Sequence, residues 1–469
     1  MSGPSRRWIL GRGSLGMGAF ALAPWFARAA QNPLVAAASG EHWRLPEARA
    51  KRVIVLHMAG GPSQIELFDP KPVLAKHDGE VVPPSFVEGK RFAFIGKDAK
   101  LMASKRGFVR NAKTGVEIGA LLPHIGGIAD KFCLIRSMQT DEINHGPAKL
   151  FFSTGHGRVG RPSLGAWLSW GLGSEADDLP AFVVMTSGPR GPRAGAPLWG
   201  PGFLPARHQG TPLRQVGAPI LHLDSPAGFE GERQADFFAA VDSLNRARPD
   251  AALDRGLQGR LAAYELAARM QASAPELVDL SSETPETLAL YGCDPAKPSF
   301  ARNCLLARRL VERGVRCVHM YHTDWDHHGD PNLHLGEPLD EICGQVDRPS
   351  AALVLDLERR GLLQDTIVVW GGEFGRTPMS EVRARVGRDH HIQAYTMWVA
   401  GGGFRAGHVH GRTDDIGFSV AEDPVHVHDL QATLLHQLGI DHEKFTFRSQ
   451  GRDFRLTDVA GEVVPGLLG

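Results

Sequence analysis

A twelve-residue stretch of the sequence concentrates side chains that bind metal ions. Residues 319–330 read HMYHTDWDHHGD and contain four histidines and three aspartates. Imidazole nitrogens and carboxylate oxygens are common ligands of zinc, manganese and iron. A solvent-exposed loop can carry such residues without any function, so a metal site requires further ligands from elsewhere in the chain.

Two other segments bring ligand-type residues next to apolar runs. Glu373 follows DTIVVWGG (365–372), and a histidine pair precedes YTMWVA (395–400). Open α/β sheets build their sites beyond the carboxyl ends of the strands. We therefore predict one divalent metal ion, with zinc as the first expectation and manganese, iron or calcium as alternatives. The candidate ligands are Asp324, Asp326, His327, His328, Glu373, His390 and His391.

The elements that must position these residues alternate along the chain. Near-continuous apolar runs are typical of parallel strands that are covered on both faces. Alternation of such runs with helical patterns predicts an α/β fold, a doubly wound and mostly parallel sheet flanked by helices. The predicted strands are 51–61, 131–138, 179–187, 315–322, 365–375 and 395–403, and the predicted helices are 297–313, 347–360 and 427–438.

The composition is that of a globular protein with a large core. Of the 469 residues, 42% are hydrophobic and 22% are charged. Lys+Arg and Asp+Glu both number 52, so no overall field attracts nucleic acid, and we predict no nucleic-acid partner. The five cysteines are odd in number and widely spaced, which predicts buried thiols with one disulfide at most.

The N-terminal residues resemble a signal peptide rather than part of the folded domain. Residues 5–10 read SRRWIL and precede a short Gly/Ala-rich apolar run, as in a twin-arginine export signal. That run is too short and glycine-rich to make a good membrane span. We predict a signal peptide over 1–30, a linker over 31–50, a main domain over 51–460 and a tail over 461–469. The mature protein is then periplasmic or extracellular, without a membrane span.

A long insertion interrupts the strand–helix pattern. Residues 188–215 are rich in Gly, Pro and Arg, and a polar helical pattern follows over 232–274. We predict that 188–290 form a cap over the carboxyl edge of the sheet. A surface insertion without a role is the alternative.

Four segments follow one another in the chain: HTDWDHHG (322–329), IVVWGGEFG (367–375), HHIQAYTMWVAGGGFRAG (390–407) and PVHVHDLQATLLHQLGID (424–441). In this order they resemble the alkaline phosphatase and sulfatase superfamily. In HTDWDHHG (322–329), Asp324 and His328 occupy the places of its Asp-x-x-x-His ligand pair. The phrases MAGGPS, GRPSLGAW, WGGEFGRTP, GRDHH and QGRDFRLTDV resemble, more closely, an exported bacterial domain-of-unknown-function family, number 1501, over most of 50–460. The resemblance implies an alkaline phosphatase-like fold. It also implies a divalent metal and the hydrolysis of sulfate or phosphate esters.

The sequence departs from the superfamily where the nucleophile belongs. HGPAKLFFSTG (145–155) keeps the spacing of the sulfatase motif, but His145 stands in the nucleophile's place and Lys149 in that of the Arg. Without Cys or Ser there, a formylglycine cannot form, which excludes ordinary sulfatase chemistry. After the first strand, Ser63 is the nearest oxygen ligand or nucleophile, with His57 and Asp69 as alternatives. Because these ligand positions are altered, a single metal is expected.

These residues support two functional hypotheses. In the first, the protein is an exported metal-dependent hydrolase of sulfate or phosphate esters, on small molecules or polysaccharide. His145 then acts as base, nucleophile or further ligand, and Lys149 with Arg376 stabilises the developing anion. In the second, the protein is a catalytically degenerate relative that binds a glycan or a partner protein without turnover. The missing nucleophile favours the second hypothesis, and the retained acid–histidine segments favour the first.

Overall fold

The core of the molecule is a single large β-sheet. The predicted signal peptide 1–30 and most of the predicted linker 31–50 lie outside the described residues. The computed structural model describes residues 42–96, 98–214, 231–246, 265, 270 and 276–469.

All six predicted strands are present in this sheet. Each is almost entirely buried, as expected for strands with helices on both faces. The predicted α/β class is therefore confirmed. In chain order the strands are β1 (Arg52–Met58), β2 (Phe108–Arg110), β3 (Glu117–Gly119), β4 (Phe132–Gln139), β5 (Phe182–Ser187), β6 (Thr211–Leu213), β7 (Cys317–His322), β8 (Thr366–Gly371), β9 (Gly375–Arg376), β10 (Glu381–Val382), β11 (Val386–Gly387), β12 (His390–His391), β13 (Tyr395–Ala400), β14 (His408–His410), β15 (Arg412–Thr413), β16 (Val420–Glu422), β17 (Val425–His426), β18 (Phe447–Ser449) and β19 (Arg452–Phe454).

The main sheet has the order β14-β4-β13-β8-β1-β7-β5-β6, with β17 also paired to β4. β1 runs parallel to both β7 and β8. Within the described sheet, β13 alone runs in the opposite direction, antiparallel to β4 and to β8. Consequently the residues that precede β13 lie at the same edge as the carboxyl ends of the other strands.

The two faces of the sheet bury different side chains. In β1, Ile54 and Leu56 belong to one apolar cluster, whereas Val53 and Val55 belong to the other. This alternation follows from the two-residue period of a strand, which points successive side chains to opposite faces. Both faces of the sheet are therefore apolar and shielded from water, and the polar groups of the strands and their loops concentrate at the sheet edge.

Helices cover both faces of the sheet. The predicted helices at 297–313 and 427–438 are observed as α9 and α11, and the Ser299 side chain caps α9 by accepting from the Arg302 N–H. The third, α10, begins ten residues before its predicted start because Leu339, Ile342, Cys343 and Val346 already recur at helical spacing and are buried. The helices are α1 (Gln64–Leu67), α2 (Pro72–Lys76), α3 (Pro84–Val87), α4 (Pro123–Gly127), α5 (His145–Thr154), α6 (Leu164–Leu172), α7 (Glu232–Arg246), α8 (Pro285–Tyr291), α9 (Phe300–Glu312), α10 (Glu337–Arg359) and α11 (Val427–Gln437).

The predicted insertion at 188–290 is partly integrated into the sheet. Its residues Thr211–Leu213 form β6, which pairs in parallel with β5 at the edge. Its predicted helical part, 232–274, contains α7, while 247–264, 266–269 and 271–275 lie outside the described residues. A cap over the sheet edge stays a prediction for that part.

Two further features concern the cysteines and the length of the helices. All five cysteines are buried and free. In the part of the chain that the structure describes, no helix is long and apolar enough to cross a bilayer.

Candidate functional site

Four ligand-type side chains meet at the carboxyl edge of the sheet. Asp326 and His328 follow β7, His145 begins α5 after β4, and His390 lies in β12 just ahead of the reversed strand β13. One ligand atom from each of the four lies within 4.8 Å of every other. The reversal of β13 is what allows a residue ahead of a strand to join residues that follow strands.

The distances centre on one carboxylate oxygen. Asp326 Oδ1 lies 2.9 Å from His145 Nε2, 2.9 Å from His328 Nε2 and 3.4 Å from His390 Nε2. The Nε2 atoms of His328 and His390 are 2.9 Å apart. Without a cation between them, two neutral imidazoles can approach this closely only if one of the two facing Nε2 atoms is protonated and donates to the other.

The other ring nitrogen of each histidine is already committed to an oxygen acceptor. His145 Nδ1 lies 2.7 Å from Glu373 Oε1, and His328 Nδ1 lies 2.5 Å from Glu381 Oε2. His390 Nδ1 lies 2.7 Å from the Ile143 carbonyl oxygen. Because oxygen acceptors require a proton on Nδ1, the neutral tautomer leaves each Nε2 with a free lone pair. Three such lone pairs and a carboxylate then face one point.

The electrostatics of the four residues favour ligand-competent forms of His390 and Asp326. Burial lowers the pKa of the His390 imidazole to about 3, so this ring is neutral. Burial by itself raises the pKa of the Asp326 carboxyl, but Arg376 and the three histidines outweigh it and hold that pKa well below its usual range. For His328, burial lowers the pKa, yet its bonds to Asp326 and Glu381 raise it overall.

These residues fit a divalent cation. His145 Nε2 is buried and its polar neighbour, Asp326 Oδ1 at 2.9 Å, lies outside hydrogen-bond geometry, so this nitrogen is available as a ligand atom. Three imidazoles and one carboxylate form a donor set suited to zinc, manganese or iron. Asp326 is 19% exposed while the three histidine side chains are at most 5% exposed, so the site is reached from the Asp326 side.

Glu373, a predicted metal ligand, is not one of the four clustered residues. It contacts one of them, His145, through the other ring nitrogen. Its side chain is fully buried, and Oε1 accepts from Lys149 Nζ at 2.8 Å and from His145. Oε2 pairs with His57 Nε2 at 3.1 Å, and the Gly60 N–H also donates to the carboxylate. Burial raises the pKa of Glu373, but Lys149 and the histidine hydrogen bonds outweigh burial and leave it well below its ordinary value.

Arg376 ties the loops of the site together, which differs from its predicted role as an anion-stabilising group. Its guanidinium is 1% exposed and donates to the Gly61 carbonyl at 2.9 Å, to the Arg388 carbonyl at 3.0 Å and to Asp326 Oδ1 at 2.7 Å. A further N–H bonds the Gly60 carbonyl. Since its donors are used within the protein, Arg376 fixes Asp326 and has little left for a substrate.

Gly60 permits the close contact between the first strand and the ligand loop. Its φ of +132° is rarely adopted by other residues, and a Cβ there would lie 2.7 Å from backbone atoms of Trp325 and Asp326. The glycines that follow β1 therefore allow the loop that carries Asp326 to pack directly on the end of β1.

Four other residues predicted for the site are not members of the cluster. Asp324 lines the cleft beside Asp326, but its Oδ1 pairs with Arg190 Nε at 3.0 Å. His327 Nδ1 lies 3.1 Å from the carbonyl oxygen of Trp325, and His391 Nε2 lies 2.5 Å from the carbonyl oxygen of Phe418. Ser63 bonds Glu66, which is itself paired with Arg388. None of these four is among the clustered ligand atoms in the described residues.

A second group of possible ligands, His328, Glu381 and Asp389, is better explained by the fold. Asp389 Oδ2 accepts from the N–H groups of Ala93, Phe94 and Ile95, at 3.0, 2.8 and 3.1 Å. These three N–H groups satisfy the carboxylate oxygen without a cation. Asp389 therefore holds the 93–95 loop beside the site, where the Phe94 ring packs on the His328 ring at 5.0 Å.

Sequence reasoning did not identify Glu381, which contacts His328 of the candidate site and yields a first testable expectation. Because it orients His328 and fixes its tautomer, Glu381→Ala should weaken metal affinity by about 10- to 100-fold. Competition with a chromophoric chelator measures that affinity. Glu422→Ala is the control, since Glu422 forms an exposed ion pair with Arg412 and is not one of the clustered residues. Equal affinities of the two variants would contradict the role of Glu381.

A cleft opens beside Asp326. It is lined by His145 and Asp326 at its base and by the cationic residues Lys149, Arg190 and Arg193. Thr323 supplies the one hydroxyl among the described lining residues, and its Oγ1 donates to the Arg190 carbonyl at 3.0 Å. The cleft therefore offers positive charge but no free alcohol or thiol.

The sequence from residue 50 to residue 468 matches the family model described as "Protein of unknown function (DUF1501)". The chain belongs to the DUF1501 family. The predicted family resemblance is thus confirmed over nearly the whole described part of the chain. No curated protein matches the sequence of this DUF1501 member.

Solved structures similar to this DUF1501 chain are remote. PsFucS1 sulfatase from Pseudoalteromonas sp. is 14% identical, covers 84% of this chain and 69% of its own, and gives a TM-score of 0.37. Alkaline phosphatase from the Antarctic bacterium TAB5 is 10% identical, with coverages of 83% and 98% and a TM-score of 0.34. Phosphonate monoester hydrolase SpPMH from Silicibacter pomeroyi is 17% identical, with coverages of 68% and 68% and a TM-score of 0.27. At these values no residue role is transferred.

Proposed function

We propose that this DUF1501 chain is an exported hydrolase of sulfate or phosphate esters that depends on one divalent metal ion. The observation that carries the proposal is that the Nε2 atoms of three histidines and the carboxylate of Asp326 meet at one point. His145, Asp326, His328 and His390 would hold the ion. A divalent ion in such a site acts as a Lewis acid towards an ester oxygen and lowers the pKa of water.

The surrounding residues have defined supporting roles in this proposal. Glu373 holds the His145 ring through Nδ1, which supports a ligand role for His145 over a role as nucleophile. Arg376 holds Asp326, and Glu381 holds His328. The cationic groups that line the cleft attract an anionic ester. Because Thr323 is engaged by backbone, water is the nucleophile that the cleft leaves available.

The proposal is tested by turnover of 4-nitrophenyl sulfate and 4-nitrophenyl phosphate. We expect the wild-type protein to hydrolyse these esters, a chelator to abolish the activity, and added zinc or manganese to restore it. The His328→Ala variant should show no hydrolysis with any of the metals. His408→Ala serves as control, because His408 lies in β14, outside the four clustered residues. Hydrolysis that persists at the wild-type rate in His328→Ala would reject the proposed centre.

The second candidate function is binding of an anionic glycan without turnover. It is favoured by one observation, the lack of a free hydroxyl or thiol among the described lining residues of the cleft. Metal-loaded protein that binds a sulfated oligosaccharide but hydrolyses neither ester would support this candidate. The export of the protein through the twin-arginine route belongs to both proposals and rests on residues 1–30.

A further inference from the structure

The short loop 188–195, GPRGPRAG, carries two arginines to the wall of the cleft. Arg190 and Arg193 are both exposed, and each lies one residue after a proline. Pro189 and Pro192 each fix one φ angle, which reduces the backbone freedom that the loop can lose when a ligand binds. The two guanidinium groups are thus presented to the cleft by one short, partly restricted segment.

The root of this loop is fixed to the end of β7. Thr323 donates its N–H to the Ser187 carbonyl at 3.1 Å and its Oγ1–H to the Arg190 carbonyl at 3.0 Å. A Cβ on Gly188, whose φ is +97°, would lie only 2.4 Å from Thr323 Oγ1. The backbone of Arg190 is therefore anchored beside the segment that leads from β7 to Asp326.

One of the two arginines is paired and the other is not. Arg190 Nε lies 3.0 Å from Asp324 Oδ1, and their side chains are 63% and 22% exposed. Asp324 adopts a φ of 78°, a backbone conformation that is uncommon for a non-glycine residue and concentrates at functional sites. Arg193 has no hydrogen-bond or ion-pair partner among the described residues.

The cleft wall carries one positive charge that no carboxylate among its described lining residues balances. Lys149 is neutralised by buried Glu373, and Asp326 belongs to the candidate metal centre. What remains facing the cleft is Arg190 and Arg193 against the single carboxylate of Asp324. Guanidinium groups are suited to sulfate, phosphate and carboxylate because their donors match two oxygens of such a group.

The geometry points to a substrate that carries a second anionic group beside the ester at the metal centre, as a multiply sulfated or phosphorylated saccharide does. Arg190 and Arg193 bind this second group, and Asp324 occupies Arg190 until the substrate displaces it. This inference rests on the proposed function, because it takes the position of the first anion from the candidate metal centre. It assigns specificity to the arginine loop, and no residue of the loop takes part in the proposed chemistry.

Calorimetric titration tests the inference through binding, with the zinc-loaded full chain. The probes are a monosulfated and a disulfated disaccharide of the same sugar backbone. We expect the wild-type protein to prefer the disulfated probe by about tenfold or more, the factor that corresponds to one charge-assisted hydrogen-bonded contact. Arg190→Gln and Arg193→Gln should each remove most of this preference, measured as the ratio of the affinities for the two probes. Arg448→Gln is the matched control, an exposed arginine paired with Asp453 outside the cleft.

A substitution of opposite sign completes the test. Asp324→Asn should strengthen binding of the disulfated probe, because it frees Arg190 and removes a repelling charge, while Asn still tolerates a positive φ. Equal affinity of the wild type for both probes, absent binding of the disulfated probe, or a preference that survives both arginine variants would overturn the inference. If the preference is found but neither nitrophenyl ester is hydrolysed, the proposed hydrolase activity fails and the arginine subsite stands. If those esters are hydrolysed without any preference, only the arginine subsite fails.

Discussion

Asp326→Ala is expected to lose the metal ion that the wild-type protein retains. The wild-type chain should hold about one equivalent of zinc, manganese or iron, and the variant a small fraction of that. Asp326 is the one anionic member of the four clustered residues, and its Oδ1 faces all three histidines. Without it, the buried Arg376 guanidinium faces the site unneutralised and repels a cation. Elemental analysis of the dialysed proteins measures the difference.

Asp324→Asn is the control for this experiment. Asp324 lies two residues away and fits the superfamily motif, but its carboxylate pairs with Arg190. We expect this variant to keep about one equivalent of metal. The reverse result, with metal lost from Asp324→Asn and kept by Asp326→Ala, would restore the ligand set expected from the motif. A wild-type chain that takes up no metal on reconstitution would remove the metal centre altogether.

Glu373→Ala is expected to lower the free energy of unfolding by about 3–5 kcal/mol. The side chains of Glu373 and Lys149 are 0% and 3% exposed, so the substitution leaves the Lys149 ammonium buried without a counter-charge. His145, His57 and the Gly60 N–H lose their acceptor in the same step. Denaturation by guanidinium chloride, in metal-free protein, measures the loss without a contribution from bound metal.

A double variant separates this charge effect from the loss of packing. In Glu373→Leu/Lys149→Met, both charges are replaced by apolar groups of similar size, which is often well tolerated for a buried pair. We therefore expect it to be more stable than Glu373→Ala. Glu422→Ala, which removes an exposed partner of Arg412, should leave the stability unchanged within error. A loss below about 1 kcal/mol in Glu373→Ala would contradict the buried ion pair.

The sequence predicted the strands well because each is a short, almost continuous apolar run. The runs around β1, β7 and β8 need no knowledge of their neighbours to be recognised, since burial on both faces removes nearly all polar residues. The placement of the ligand segments at one edge followed from these strands. β13 does not alter this result, because its reversal brings its start to that same edge.

The sequence could not decide which of several adjacent residues faces the site. His390 and His391 are neighbours in β12, and alternation in a strand requires them to point in opposite directions without indicating which one is the ligand. Asp324 and Asp326 lie in a loop, where no period applies, and the positive φ of Asp324 is not encoded in a pattern. Motif spacing therefore favoured Asp324, whereas the folded loop brings Asp326 to the histidines.

The supporting residues were hidden for a different reason. The partner of Glu373 is Lys149, more than two hundred residues earlier in the chain, and the donors of Arg376 reach carbonyls that precede and follow it. Glu381 belongs to a short hairpin with no recognisable motif. Such contacts depend on how separate loops pack over the sheet edge, which single-sequence patterns do not contain.

The reversed strand would also determine when a metal ion can bind the candidate centre. His145 follows β4, Asp326 and His328 follow β7, and His390 precedes β13, so the four residues are contributed by three strands far apart in the chain. β13 lies between β4 and β8 and completes the centre of the sheet. A newly synthesised chain that has not yet inserted this strand lacks His390 and presents an incomplete set of ligands. In the proposed function, a metal ion would therefore bind the complete set of four ligands only after β13 has inserted between β4 and β8.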